Sequence, residues 1–433
     1  MSASTRAPAV PVPAATAWTP AVRVAFRFSV VYLGLYAAVT QILGGVLILP
    51  NAYIPALGPL SPLRDFTFWL AGHLGAEPPL DFAGTSGDTL FHWVQNAWVL
   101  AAAVVATAVW SMVDARRHYA ALHAWFRVFV RFALAAQMFY FGMAKVIPTQ
   151  FRPPALTTLV ERVGNLSLSD LLWVFIGAST PYQVLTGVAE VAGGLLLVVP
   201  QTATLGALVC LADMLQVFAL NMTYDVGLKQ ISFHLVLMSL FLLAPDARRL
   251  ANVLVLNRPA PPSALPALFR TPRANRIAAG VQLLFGLYLL GIFTNTSLRW
   301  WDAPDGPGAP RSALYGIWRV DRMSIDGELR DPDSNDYDRR WRLVIFDAAD
   351  HMAFQRTDDS FARYGTILDE RTRTLTLTKG RSRIWKSTFT YERPAPDRLV
   401  LDGVMDGYRI TVQLSLVPLD TFRLRHTDFR WVR

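Results

Sequence analysis

A single cysteine, Cys210, stands in 433 residues, inside an apolar run. No intramolecular disulfide is possible and no CxxC pair exists, so a mechanism that uses the chain's own dithiol is excluded. Charged residues are scarce, at 17%. The sequence has no P-loop, no GxGxxG and no Ser/His/Asp order. It also lacks an HxxE or ExxH pair, the helical spacing that would favour a transition metal, so no metal site is assigned. No internal repeat is visible. The N-terminal stretch MSASTRAPAVPVPAATAWTP lacks the charged-then-apolar plan of a cleaved signal peptide and predicts a disordered cytoplasmic tail over 1–22.

Apolar residues are what the chain has in excess. It is 53% hydrophobic, with a mean hydropathy of +0.30. That is too apolar for an ordinary soluble domain and fits a polytopic membrane protein with one soluble part. Seven apolar segments can be marked, near 24–49, 89–112, 123–146, 181–199, 202–222, 227–244 and 276–294. Segment 171–178, LLWVFIGA, is too short to span and reads as an interfacial piece. Ser179 and Thr180 can cap a helix whose first residue is Pro181, and Pro200 ends that run.

The net charge of +9 is mostly arginine near the ends of these runs, which reads as topology rather than nucleic-acid affinity. Arg6, Arg23 and Arg27 precede or open segment one, Arg116 and Arg117 follow segment two, and Arg248, Arg249, Arg258, Arg270, Arg273 and Arg276 lie between six and seven. The alternate loops are poorer, with Arg64 alone in 50–88 and Lys229 alone in 223–229, although 147–180 carries Arg152 and Arg162. This asymmetry predicts a multi-pass protein of a bacterial-type plasma membrane, with a cytoplasmic N-terminus and an outer C-terminus.

From about residue 311 the period changes to two. RLVIFD, TRTLTLT, STFTYE, RLVLDG and YRITVQLSLV alternate apolar with polar residues, separated by turns read at Thr378-Lys379-Gly380 and Asp402-Gly403. Some eight or nine short strands predict an antiparallel barrel or sandwich over 313–433, behind a Pro/Gly linker at 299–312. Tyr315-Gly316-Ile317-Trp318-Arg319 contains the GxW triplet with which lipocalin-like barrels open. There Trp318 would plug one end, with a late arginine such as Arg423 or Arg425 stacked over it. An apolar barrel interior suits a lipid or other apolar ligand. His351 and His426 stand isolated and read as surface or core residues.

The polar groups inside apolar segments are the candidate site. Glu190, Asp213 and His234 each lie near the middle of one of three successive segments, and Gln137 falls at a similar level in segment three. An ionisable group at the bilayer centre is costly unless paired or wet, so these are candidate catalytic or proton-delivering residues. Each is also compatible with a plain structural hydrogen bond in a bundle. A second group gathers toward the outer face: His92 and Asn96 one turn apart, Lys145, Tyr224, Asp225 and Lys229. It reads as a vestibule for an anion or quinone head group, or as ordinary ion pairing such as Lys145 with Asp225. Arg127 can snorkel to the cytoplasmic surface, whereas the deeper Arg131 needs an acceptor. Trp69, Trp93, Trp125, Tyr182, Trp300 and Trp301 suit an interfacial belt.

Phe141-Gly142-Met143-Ala144-Lys145 ends a helix with a GxxK, Glu190-Val191-Ala192-Gly193-Gly194 leads into three leucines, and NMTYDVGLK covers 221–229. GTSGDTLFHWV at 84–94 precedes them. In this order and spacing, roughly 84–247 resembles the DoxX family of membrane proteins. The resemblance implies a four-helix membrane core over about 120–247, within a transmembrane region of 23–298. It also implies an association with thiosulfate:quinone oxidoreductase or other membrane redox complexes, so a quinone is the cofactor candidate and a redox subunit a candidate partner beside membrane lipid. Three extra helices and the β domain set this chain apart from short family members. The alternatives are a non-enzymatic transporter or small-molecule binding protein, or an assembly scaffold. The residues alone leave open whether any reaction is catalysed.

Overall fold

A computed structural model describes residues 18–50, 56–75, 87–263, 267–331, 340–380 and 384–425. Most of the expected N-terminal tail, Arg6, residues 84–86 and His426 lie outside them. The helices are α1 Pro20–Val39, α2 Gln41–Val46, α3 Leu63–His73, α4 Leu90–Val113, α5 Ala120–Val146, α6 Leu156–Val160, α7 Leu168–Gly177, α8 Thr180–Val198, α9 Ala203–Thr223, α10 Lys229–Leu243, α11 Ala247–Leu254 and α12 Pro272–Trp301. Each of the seven apolar segments is helical. Six helical spans are long and apolar enough to cross a membrane: α1, α4, α8, α9, α12 and the run Lys229–Leu254 that α10 opens. The remaining one, α5, is 27 residues long, about 40 Å at 1.5 Å per residue, but carries Arg127, Arg131 and Lys145 along it.

Local chemistry sets the ends of these helices. Thr19 caps α1 by accepting from the Val22 N–H, with Pro20 where no N–H is needed. The first segment breaks at Thr40, whose hydroxyl donates to the Tyr36 carbonyl and separates α1 from α2. The short run at 171–178 becomes α7, started by a capping box between Ser167 and Asp170. Ser179 accepts from the Tyr182 N–H, but α8 starts at Thr180, one residue before the expected Pro181, so Ser179 alone caps it.

Two compact units divide the chain, and neither is continuous. One comprises residues up to 141 together with 189–293; the other comprises 142–188 together with 294–433.

In the second unit the strands are β1 Gly316–Ile325, β2 Glu328–Leu329, β3 Trp341–Ala348, β4 His351–Arg356, β5 Phe361–Asp369, β6 Thr374–Thr378, β7 Lys386–Ala395, β8 Arg398–Met405 and β9 Tyr408–Val417. Every pairing is antiparallel: β1 pairs with β3, β3 to β9 pair in sequence order, and β9 returns to pair with β1, so that Ile317 faces Val417 and Ile325 faces Ile410. The two-residue β2 attaches only to β1. The result is a closed eight-stranded barrel, which removes exposed sheet edges. Of the two alternatives that alternation allowed, barrel and sandwich, the β1–β9 pairing selects the barrel.

Among the described residues, large apolar side chains gather in its interior, as an eight-stranded barrel allows. Trp318, Met323, Trp341, Phe346, Phe354 and Phe389 belong to one buried cluster, and Trp341 stacks on Phe354 with centroids 3.7 Å apart. Trp318 is fully buried and donates from Nε1 to the Leu314 carbonyl at 2.9 Å. The arginine over its ring is Arg393 of β7, 5.7 Å from the centroid, and not Arg423 or Arg425; Arg425 instead donates to the Tyr315 hydroxyl. The reading of Asp402-Gly403 as a turn is also corrected. Both lie within β8, where Asp402 accepts from Arg409 and Thr411, and the turn falls at Asp406-Gly407, both with positive φ. An Asp-Gly pair fits a tight hairpin only where both residues take left-handed conformations.

Periodicity gave no reason to expect that 142–188 belongs with the barrel. Leu156 of α6 buries against Ile317 and Ile345 on the outer face of β1 and β3. The Leu156 N–H donates to Asp347, and the Gln355 amide reaches the Val160 carbonyl. Arg162 pairs with Asp359.

Candidate functional site

The polar groups named from the sequence sit in several places among the helices. The first cluster is organised by the N-terminus of α10. A helix start leaves backbone N–H groups without partners. Here they are met by Asp88, which lies 141 residues earlier: its carboxylate accepts from the Lys229 N–H at 2.7 Å and the Gln230 N–H at 3.0 Å. Lys229 Nζ lies 3.8 Å from Asp88 and 2.7 Å from Asp225. Its hydrogen bond holds the Asp225 carboxyl below the usual carboxylate range. Asp225 therefore pairs with Lys229, one turn away in sequence, where Lys145 was the expected cation. Tyr224 closes α9, its N–H on the Leu220 carbonyl, and Asn221 ties the α9–α10 loop to Leu228 and Ser232.

From that end the hydrogen bonds run inward along α10. Asn96 of α4 donates to the Gln230 side chain. One turn above Asn96, His92 shares a 2.8 Å hydrogen bond with Thr89. His234 lies one turn after Gln230, and its Nδ1 is 2.6 Å from the Gln230 carbonyl. A carbonyl only accepts, so Nδ1 carries a proton. Nε2 is 2.8 Å from the Tyr32 hydroxyl of α1, and Tyr36, one turn further, stacks on the imidazole at 3.4 Å. His234, 4% exposed, is thus gripped by two tyrosines of the first helix.

Glu190 and Asp213 lie on α8 and α9, which are joined by a tight turn. Glu190 is buried, at 1% exposure. Cys210 lies one turn before Asp213 and near enough to both carboxylates to feel their charge. Gly193 makes that approach possible, since a Cβ there would stand 2.9 Å from the Cys210 sulfur, and one at Gly194 would stand 2.7 Å from Phe139. Glu190 and Asp213 thus both act on Cys210, whereas His234 is held by Tyr32 and Gln230. Gln137 is buried on α5 and accepts from Gln41 of α2 at 2.8 Å. Lys145 is buried in the last turn of α5.

The second cluster lies at the other helix ends. Arg131 donates to the Leu197 carbonyl at 2.9 and 2.7 Å, to the Val198 carbonyl at 2.8 Å and to Gln282 of α12 at 3.0 Å. It thus supplies the acceptor-rich C-terminus of α8 with a cation, which the helix dipole favours. Arg127 does the same for α10 through the Leu242 carbonyl, at 2.7 Å, and is buried rather than snorkelling.

Sequence reasoning singled out His234, Gln137, His92, Asn96 and Lys229 but missed most of their partners. Tyr32 and Tyr36 carried a legible signal, two tyrosines at helical spacing inside an apolar run. Asp88 and Gln41 carried none, because each acts on a residue distant in sequence. Among the described residues, no group of three or more His, Cys, Asp or Glu gathers as a metal site.

These features define a protein with one helical unit that carries a buried polar line and one unit that carries a closed β-barrel. No family model matches the chain, and no solved structure matches it. Over 123 residues it is 31% identical to an uncharacterized protein of Bacillus subtilis, YwoB, covering 28% of this chain and 78% of that protein. Through this stretch the chain belongs to the family of YwoB.

Proposed function

We propose that this chain is a seven-crossing, DoxX-like membrane protein that engages a quinone or similar lipid-soluble carrier through its interior polar groups, as part of a redox assembly. The observation that carries this reading is the hydrogen-bonded line from Asp88 through Gln230 and His234 to Tyr32. In neutral His234, Nδ1–H donates to the Gln230 carbonyl, so Nε2 accepts from the Tyr32 hydroxyl. When Nε2 takes a proton it becomes a donor to Tyr32, whose own O–H is freed to donate to a quinone oxygen. The line therefore has two hydrogen-bonding states separated by one proton, which is what delivery to a carrier requires. Glu190 and Asp213 supply further proton-holding groups in the same helical unit. The electron-carrying group would be the quinone and a partner subunit.

In this reading α5 is the seventh crossing, its two buried arginines made tolerable by the carbonyls and the amide that accept from them. The exposed Trp69, Trp93 and Trp125 suit the interfacial belt of a bacterial-type inner membrane. The arginine-rich connections support a cytoplasmic N-terminus and an outer lipocalin-like barrel, and a reporter joined after Arg433 is then active only outside the cytoplasm. Quinone analysis of purified protein tests the function. Wild type retains a quinone, Tyr32→Phe and Glu190→Gln fold and insert but lose it, and a wild type free of quinone refutes the reading. A solute pathway is the second reading, favoured by the charged trio Asp88, Asp225 and Lys229 at the mouth of the line. It predicts that the same variants lose solute binding in a protein without quinone.

A further inference from the structure

The N-terminal part of α5, the C-terminus of α8 and the N-terminal turns of α12 surround a pocket of about 340 Å³. It is unrelated to the polar line above. Arg127, Arg131, Arg276, Asn275 and Gln282 contribute its polar lining, and Ala124, Val128 and Leu268 are among its apolar walls. Arg127 and Arg131 are each 7% exposed.

Their hydrogen bonds leave the charge in place. Every described acceptor of Arg131 is neutral: two backbone carbonyls and the Gln282 amide oxygen. Arg127 makes one described hydrogen bond, from Nη1 to the Leu242 carbonyl, out of the five donors of a guanidinium. The carboxylate that acts on Arg127 is Asp246, which is already shared among Arg249, Thr204 and Ser263. His123 also senses Arg127 and adds no negative charge. The two helix C-termini offset roughly half a charge each. With Arg276 counted and Asp246 set against Arg249, roughly two positive charges remain without a counter-charge. Buried cations without a counter-charge are costly, and a pocket that opens onto them favours an anion. Planar guanidinium forks match phosphate oxygens in particular.

We propose that this pocket binds a phosphate-bearing anion, held between Arg127, Arg131 and Arg276. The chemistry is shared by an anionic phospholipid headgroup, whose glycerol would meet the apolar wall, and by free phosphate. Full-length protein, stripped of lipid in a non-ionic detergent, distinguishes them. Native mass spectrometry reads retention of dioleoyl-phosphatidylglycerol against dioleoyl-phosphatidylcholine, and the unfolding temperature reads inorganic phosphate against chloride at equal ionic strength. Selective retention of phosphatidylglycerol assigns the site to lipid; stabilisation by phosphate without that selectivity assigns it to the free anion. In either case Arg276→Gln weakens the binding about tenfold, about 1.4 kcal/mol. Arg276 is exposed, so this variant tests the site even where Arg131→Gln does not fold. Failure of both ligands to bind selectively overturns the proposal. So does binding to Arg276→Gln with wild-type affinity.

Discussion

Replacing Asp88 should loosen the helical unit at a point 141 residues away in sequence. The Asp88 side chain is 9% exposed and accepts two backbone N–H groups at the first turn of α10. An N-cap acceptor contributes about 1 kcal/mol and at most about 2. A buried donor left without an acceptor costs about 1–3 kcal/mol. These terms describe the same event and overlap, so Asp88→Ala should cost about 2–3 kcal/mol in all. Asp88→Asn keeps one side-chain oxygen and loses the charge that the helix dipole favours, for about 1 kcal/mol. Lys229→Met removes only cation pairs, chiefly the one to exposed Asp225, and should cost about 0–1 kcal/mol. The single cysteine supplies the assay, because Cys210 is fully buried in α9. Its labelling by a thiol-reactive dye reports opening of the unit. Where opening equilibrates faster than labelling, about 2.8 kcal/mol means a hundredfold faster reaction. The expected order of rates is Asp88→Ala, then Asp88→Asn, then Lys229→Met close to wild type. Equal rates for Asp88→Ala and wild type would falsify the cap. Equal effects of Lys229→Met and Asp88→Ala would mean that the ion pair, not the cap, matters.

Other substitutions probe other contacts. Gly45→Ala puts a Cβ 2.7 Å from the Gln137 amide nitrogen, so it should disrupt the Gln41–Gln137 bond and cost about 1–3 kcal/mol, read as faster Cys210 labelling. Trp318→Phe removes the hydrogen bond to Leu314 and leaves a buried carbonyl and a small void, lowering barrel stability by about 1–3 kcal/mol in β-sheet circular dichroism melts, while Arg425→Gln, away from that ring, should change little. Two barrel carboxylates should give opposite pH dependence. Hydrogen bonds from Arg409 and Thr411 hold the Asp402 carboxyl below its usual range, so its contribution is present above that range and is lost as the pH falls; Asp402→Asn should blunt the acid-side loss. Burial pushes Asp347 up despite the Leu156 N–H, so its contribution is largest below the usual carboxylate range and shrinks as the pH rises through the folded value. Asp347→Asn should flatten that fall, and an unchanged profile would discount the burial of Asp347.

The helices and strands follow from local chemistry along the chain. Twenty-residue apolar runs must be helical if they meet lipid, because only a helix satisfies its own backbone. Period-two alternation marks strands buried on one face, and a Thr or Ser before a run marks where a helix starts. These are local properties, so α1, α4, α8, α9, α10, α12 and most of the strands could be read residue by residue. Closure of the barrel was not legible, because it depends on β1 meeting β9 across nearly a hundred residues. Even a turn motif was ambiguous: Asp402-Gly403 and Asp406-Gly407 look alike, and only the register of β8 against β9 decides which one bends. The candidate site divides in the same way. Polar residues inside apolar helices announce themselves by their cost, which is why His234, Glu190, Gln137 and Arg131 stood out. What satisfies them is a tertiary matter. Asp88 reaches α10, Tyr32 reaches His234 and Arg131 reaches the end of α8, each across a distance over which sequence spacing carries no geometric information.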